Sequence, residues 1–244
     1  MKPIYEPKGK AKEYGDYAIN IYTGCPHRCF YCFAPNVLHR DREAFHSHVE
    51  PRPYIVEAVK DQLEHDQITG KLIHLCFTCD PYPTGYDSTP TREIIKLLKA
   101  HGNHVQILTK GDGSRDFDLL DEEDWYGVSV SSFKTREPVS VYAYRSPYER
   151  QAIAPYARIA MAEEAKRAGI KTWISLEPVV DEDVLKGFAC FSNTFDKVKI
   201  GKLNYYPSDI NWSAFGHKAE EMCKTLGIDY YIKESLRAEM EGSS

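Results

Sequence analysis

Asp16-Tyr17-Ala18-Ile19-Asn20-Ile21-Tyr22-Thr23-Gly24-Cys25-Pro26-His27-Arg28-Cys29-Phe30-Tyr31-Cys32 runs from a strand-like alternation straight into a short loop carrying three cysteines. Tyr17–Tyr22 alternates apolar and polar residues, which is the period of a β-strand. The loop then spaces its thiols Cys-x3-Cys-x2-Cys. Thiolates are the usual ligands of iron–sulfur clusters. Three on one short loop can grip three irons of a cubane and leave the fourth open to a small molecule. Three buried, reduced thiols crowded on a loop would be unusual as plain packing. A structural zinc is the rival use, and it needs a fourth ligand, which His27, His39, His46 or His48 can supply.

Downstream of the loop, helix-like and strand-like stretches alternate. Pro53–His65 carries Ile55, Val56, Val59 and Leu63 at helical spacing, with Pro53 suited to a first turn. Leu72–Thr78 is a short apolar run, and Thr89-Pro90 reads as an N-cap and N1 of a helix stopping at Gly102. Strands follow at His104–Thr109, Gly127–Ser132, Lys171–Leu176, Lys197–Ile200 and Ile228–Ile232. Helices are expected at Asp116–Leu120, Pro155–Ala168, Asp181–Gly187 and Asn211–Leu226. Six or seven β–α alternations mean a mostly parallel sheet covered by helices. The expected fold class is α/β, a partial (β/α)6 TIM-like barrel. It forms a single domain over 1–244 with its core at about 16–232. A doubly wound open sheet is the runner-up, but no Gly-rich phosphate loop follows the first strand. Either architecture puts the active site at the C-terminal ends of the strands.

Composition narrows the function classes. With 42% hydrophobic and 27% charged residues, a soluble globular class is expected. The formal net charge of −5 makes the whole chain no magnet for phosphate backbones, so any nucleic-acid contact needs a local basic patch. Lys8, Lys10, Lys12, Arg28, His39, Arg40, Arg42 and Arg52 flank the cysteine loop and are candidates for one. No apolar run approaches a membrane span, and the N-terminus lacks the apolar stretch of a signal peptide, so a cytoplasmic location is expected. Seven cysteines, an odd number, argue for metal binding or catalysis rather than disulfides.

The triplet, with an aromatic just before its last cysteine, resembles the signature of the radical S-adenosylmethionine superfamily. The stretch Asp16–Cys25 is similar to the spore photoproduct lyase-related, DNA repair photolyase-like subfamily. Phe77-Thr78-Cys79-Asp80-Pro81-Tyr82, Ile107-Leu108-Thr109-Lys110, Ile174-Ser175-Leu176-Glu177-Pro178 and Ile200-Gly201-Lys202 agree with it in order and spacing. The resemblance implies a [4Fe–4S] cluster on Cys25, Cys29 and Cys32 with S-adenosylmethionine chelated to the open iron. Reductive cleavage then gives a 5′-deoxyadenosyl radical that takes hydrogen from a substrate, here a small molecule, a nucleotide or a nucleic-acid base. A reduced flavodoxin or ferredoxin-type protein is the implied electron donor.

Residue roles follow from the same resemblance. Tyr31, between two ligands, packs on the adenine. Lys110, a point charge leaving a strand end, meets the methionine carboxylate. Asp80 accepts from the methionine amino group or, alternatively, caps the turn before Pro81. Ser129 touches the cofactor, and Ser131 points the same way on the fourth strand. Glu177 holds ribose or substrate, or else forms a structural salt bridge. Lys202 and Asn204 complete the rim. Cys79 is the candidate hydrogen-atom donor, although the lyase's cysteine falls nearer Phe77. Cys76 lies three residues before Cys79, on the opposite face of a regular strand. Cys190 and Cys223 read as core. The competing function is a zinc-stabilised, non-catalytic nucleic-acid-binding module built on the same triplet and one histidine.

Overall fold

The computed structural model describes residues 2–134 and 146–242. Seven strands lie side by side in chain order: β1 (Tyr17–Ile19), β2 (Leu72–Leu75), β3 (His104–Thr109), β4 (Trp125–Ser129), β5 (Lys171–Leu176), β6 (Lys197–Ile200) and β7 (Asp229–Ile232). Every neighbouring pair is parallel. The helices are α1 (Ala34–Val37), α2 (Arg42–Ser47), α3 (Ile55–Asp66), α4 (Thr89–Ala100), α5 (Pro155–Arg167), α6 (Val184–Phe191), α7 (Trp212–Leu226) and α8 (Glu234–Glu241).

One face of the strands is apolar. Ile73, Leu75, Val105, Ile107, Val128, Ile174, Leu176, Val198 and Ile200 join buried residues of α3, α4, α5 and α7 in one core. The alternate residues His74, Gln106, Trp173 and Lys199 are polar or amphipathic and are also buried. His74, Trp173 and Lys199 converge on one ring, that of Tyr14. Its centroid lies 5.3 Å from that of His74 and 6.0 Å from that of Trp173, and the Lys199 ammonium is 4.5 Å away. Side chains from the second and sixth strands can meet one ring only if the sheet curls around it. β1 and β7 stay unpaired with each other, so the curl is an open, partial barrel of the expected kind, with a seventh strand. Gly127 on β4 makes room inside: a Cβ there would come within 2.1 Å of Trp173 Nε1.

The chain's first residues cover the gap. Tyr5 pairs antiparallel with Ala18 on the free edge of β1. A 3-10 helix, Gly9–Tyr14, then carries Tyr14 into the lumen. Gln106 Nε2 donates to the Tyr14 carbonyl at 2.8 Å, and Lys199 Nζ donates to the Glu13 carbonyl at 3.0 Å. On the far side, the Glu234 amide donates to Glu13 Oε2 at 3.1 Å, and Lys233 Nζ lies 3.5 Å from Glu13 Oε1. Burial, with Lys233 adding repulsion, pulls the Lys199 ammonium down to a pKa of about 8.

Several expected elements move. The helix expected over Pro53–His65 starts at Ile55, because Tyr54 takes a positive φ of 55° and Pro53 stays outside. Asp116–Leu120 is a 3-10 turn, Ser114–Leu119. Gly187 does not stop its helix. It is a notch against which Phe133 packs, 2.2 Å from where a Cβ would stand, and α6 runs on to Phe191. The buried stripe of α6 is Val184, Leu185 and Phe188, which turns Cys190 outward, so the expectation of a buried Cys190 is corrected. Cys223 is buried in α7, as expected.

Candidate cofactor site

The cysteine loop leaves β1 and folds over α2. Gly24 allows the approach: a Cβ would meet the Phe45 carbonyl oxygen at 2.3 Å and that of His48 at 2.6 Å. The Cys25 amide donates to the Phe45 carbonyl at 3.3 Å, and His46 Nδ1 meets the Cys25 carbonyl at 2.7 Å. Arg42 gathers the far half of the loop. Its guanidinium donates to the carbonyls of Cys29 at 2.5 Å, Phe30 at 2.6 Å and Cys32 at 3.1 Å. Arg40 donates to the Thr23 carbonyl, and Arg28 forms a fork with Glu43 at 2.5 and 2.6 Å. The basic flank read as a phosphate patch therefore includes arginines engaged in shaping the loop itself.

All three thiols are free, Cys29 buried and Cys25 and Cys32 partly exposed. Burial pushes each of them up, Cys29 to about 12 with Lys110 opposing. Thiols so placed stay protonated until a cation displaces the proton, which is how a thiolate metal site fills. Two of the four candidate fourth zinc ligands are engaged elsewhere. His27 directs Nδ1 to Asp80 Oδ2 at 3.4 Å and Nε2 to Thr84 Oγ1 at 3.0 Å, while His48 Nδ1 lies 3.2 Å from the Ala44 carbonyl. Among the described residues, the groups converging closely enough to share one small ion are His104, Asp121 and Asp124, where Lys99 already bridges the two aspartates. The three cysteines are no such set, and the zinc module is not supported. A cubane places its thiolates on different irons, so its sulfurs need not meet. The free, loop-borne triplet on a built scaffold fits that group.

The strand ends supply the surroundings. Asp80 is a hub: it accepts from Thr109 Oγ1 at 2.5 Å, from the Lys110 amide at 2.8 Å and from the Tyr82 amide at 2.9 Å, besides facing His27. Burial alone would raise its carboxyl, but His27 and these hydrogen bonds carry it below the usual range. Lys110 extends beyond this hub to 5.7 Å from the Tyr31 ring centroid, with no carboxylate in salt-bridge reach among the described residues. The Tyr31 hydroxyl meets Ser131 Oγ at 2.7 Å and donates to Glu149. Glu149 pairs with Arg158 at 2.5 Å, both fully enclosed. Ser129 Oγ donates to the Glu177 carbonyl at 3.4 Å.

Glu177 stands after β5, where Gly201 leaves it room. Its carboxylate accepts from the Tyr14 hydroxyl and faces Lys233 Nζ at 3.3 Å. Lys202 turns away to pair with Glu239 of α8, and Asn204 accepts from Lys10 Nζ at 3.0 Å. Cys79 is not brought to the lumen group. Its Sγ accepts from the Tyr22 amide at 3.3 Å, at the base of the loop, and Cys76 is buried. Hydrogen bonds from Cys76 and the Tyr22 amide hold the Cys79 thiol down against burial, while burial pushes Cys76 up. Phe77 points into the lumen instead, 4.4 Å from the His74 ring. Glu149, Arg158, Tyr14 and Lys233 are the site neighbours that sequence reading missed. Their partners lie up to 223 residues away, and no local pattern marks them.

Comparison with known proteins agrees. The family model described as Radical SAM superfamily matches residues 19–182. An uncharacterized protein, ORF301, of Acidianus two-tailed virus is 30% identical over 196 residues, 73% of this chain and 63% of its own. An uncharacterized protein, Rv2578c, of Mycobacterium tuberculosis is 28% identical over 176 residues, 68% of this chain and 50% of its own. The chain thus spans between 50% and 63% of the length of these relatives. Spore photoproduct lyase complexed with dinucleoside spore photoproduct shares the fold, with a TM-score of 0.64 at 12% identity over 93% of this chain and 79% of that one. A second structure of that lyase gives 0.67 at 12% identity, over 93% of this chain and 78% of that one. Matched by the family model over most of its barrel, this chain belongs to the radical SAM superfamily, whose members bind a [4Fe–4S] cluster and S-adenosylmethionine.

Proposed function

We propose that the chain uses Cys25, Cys29 and Cys32 as cluster ligands and acts on a nucleotide or a nucleic-acid base, in a lyase-like or modifying reaction. A cluster held there supplies, once reduced, the electron that cleaves S-adenosylmethionine into methionine and a 5′-deoxyadenosyl radical able to take a substrate hydrogen. The chain's own residues do the holding. Arg42 and α2 set the loop. Asp80 fixes the backbone from which Lys110 extends, and Lys110 receives the methionine carboxylate. Tyr31 walls the adenine, Ser129 and Ser131 back it, and Glu177 receives the ribose or substrate hydroxyls. Lys202 belongs to the rim through α8 rather than to the cofactor. The hydrogen-donor role of Cys79 is set aside, because its sulfur is held at the loop base while Phe77 takes the lumen. A reduced flavodoxin or ferredoxin-type protein serves as donor.

One observation carries the reading: the Lys110 ammonium beside the Tyr31 ring, over a cysteine loop, without a carboxylate of its own among the described residues. A charge-assisted hydrogen bond is worth about 1.5–3 kcal/mol. Lys110→Met is therefore expected to weaken S-adenosylmethionine binding by about tenfold or more, with cluster content unchanged, as read by equilibrium binding to the reconstituted protein. An unchanged Kd removes Lys110 from the site. The substrate class is tested by anaerobic turnover with deuterated nucleotides and oligonucleotides. Deuterium in 5′-deoxyadenosine supports it, and transfer only from another substrate class rejects it.

A further inference from the structure

The short segment Ser146-Pro147-Tyr148-Glu149-Arg150-Gln151 is zipped onto the cysteine loop. The Phe30 amide donates to the Tyr148 carbonyl at 3.0 Å, the Gln151 amide donates to the His27 carbonyl at 3.1 Å, and Cys29 and Glu149 form an antiparallel bridge. This backbone contact carries the Glu149 carboxylate under the loop, where it accepts from the Tyr31 hydroxyl and from Ser131 Oγ at 3.1 Å. The other end of the carboxylate is held by Arg158 of α5. That guanidinium also donates to the Ser129 carbonyl at 2.5 Å and, through Nε, to the Ile153 carbonyl at 2.7 Å. Glu149 and Arg158 are 1% and 0% exposed, so the pair is paid for in full desolvation.

A buried pair of this kind is a poor source of stability and a good source of geometry. The planar fork of Arg158 fixes three acceptors in directions set by its own bonds. Those acceptors belong to β4, to the zipped segment and to the turn before α5. Tyr31 lies between the second and third cysteines, so fixing its hydroxyl fixes the direction of the chain from Cys29 to Cys32.

We propose that Glu149 and Arg158 are positioning residues of the cofactor site, acting through the Tyr31 hydroxyl to set the ring against which S-adenosylmethionine binds. This deepens the reading of Cys25, Cys29 and Cys32 as cluster ligands and rests on it. Neither residue touches the cofactor in this account, and the effect of each is transmitted by Tyr31.

The test is a double-mutant cycle on the reconstituted full chain, reading the Kd of S-adenosylmethionine, the iron content and the change in the electron paramagnetic spectrum of the reduced cluster on adding S-adenosylmethionine. Tyr31→Phe and Glu149→Gln are each expected to weaken S-adenosylmethionine binding by about tenfold with iron retained, because the first removes the hydrogen bond that holds the ring and the second the charge that strengthens it. The double variant is expected to be no weaker than either single variant, since both act on one ring position. Additive losses, or an unchanged Kd in Tyr31→Phe, overturn the proposal. Should Glu149→Gln not fold, Ser131→Ala with Tyr31→Phe carries the cycle: non-additive weakening supports the proposal and additive or absent weakening rejects it. Wild-type protein that takes up no iron fails the underlying cluster reading instead, and the two failures are thereby distinguished.

Discussion

Asp80 takes up its expected turn-capping role and adds one that the sequence did not announce. It caps its own turn through the Tyr82 amide and also ties β2 to β3 through Thr109 and the Lys110 amide. His74 is the clearest single-residue lever on stability. Burial, then Lys199, holds its ring down to a pKa of about 3, so the folded chain keeps it neutral. The unfolded chain titrates it near 6.5, so the unfolded state binds the extra proton as pH falls below that value. Stability from this group is complete above about pH 6.5 and is lost progressively towards pH 3, by about 2 kcal/mol on reaching pH 5. Urea midpoints at pH 7.5 and pH 5 should show His74→Gln losing about 2 kcal/mol less than the wild type over that interval. Equal losses would show that His74 is not a buried neutral ring. At this scale the candidate ligands were legible because their spacing is local. Glu149, Arg158 and Tyr14 were not, because each is given its meaning by a partner on another element.

Among the elements, β3, β5 and β6 fall on the bounds that the sequence predicts, since each interleaves apolar and polar residues between turn residues. The short helices α1 and α2 were missed. Four and six residues give too little periodicity to read, and their job is to back the loop. Gly187 misled for a physical reason: a glycine used for close packing looks, in sequence, like a glycine used as a stop. Gly127 is the parallel case inside the barrel. An added methyl would stand 2.1 Å from Trp173 Nε1 and 2.7 Å from the Ile107 carbonyl, and that indole already donates to the same carbonyl at 2.9 Å. Gly127→Ala is expected to cost about 1–3 kcal/mol through overpacking, seen in calorimetry as a fall of several degrees in Tm. An unchanged Tm would mean that the Trp173 indole does not pack over Gly127 as described.

The whole molecule is an open barrel whose missing side is covered by the chain's own first turn, with Tyr14 between Lys199 and Lys233. The β/α order made the barrel readable, but the cover was not, because Gly9–Tyr14 is a polar 3-10 helix without apolar period. Among the described residues, no helix is long and apolar enough to cross a membrane. What organises everything else is the cysteine loop at the strand ends, gripped by α2 on one side and by the zipped segment on the other. Radical chemistry in this barrel depends on that loop holding a cluster able to cleave S-adenosylmethionine. The direct measurement is 5′-deoxyadenosine formed by anaerobically reconstituted protein given S-adenosylmethionine and a strong reductant, beside the Cys25→Ala variant handled identically. The expected result is about four irons per chain and 5′-deoxyadenosine from the wild type, with none from the variant. Equal product from Cys25→Ala, or none from wild type carrying its full iron, would contradict it.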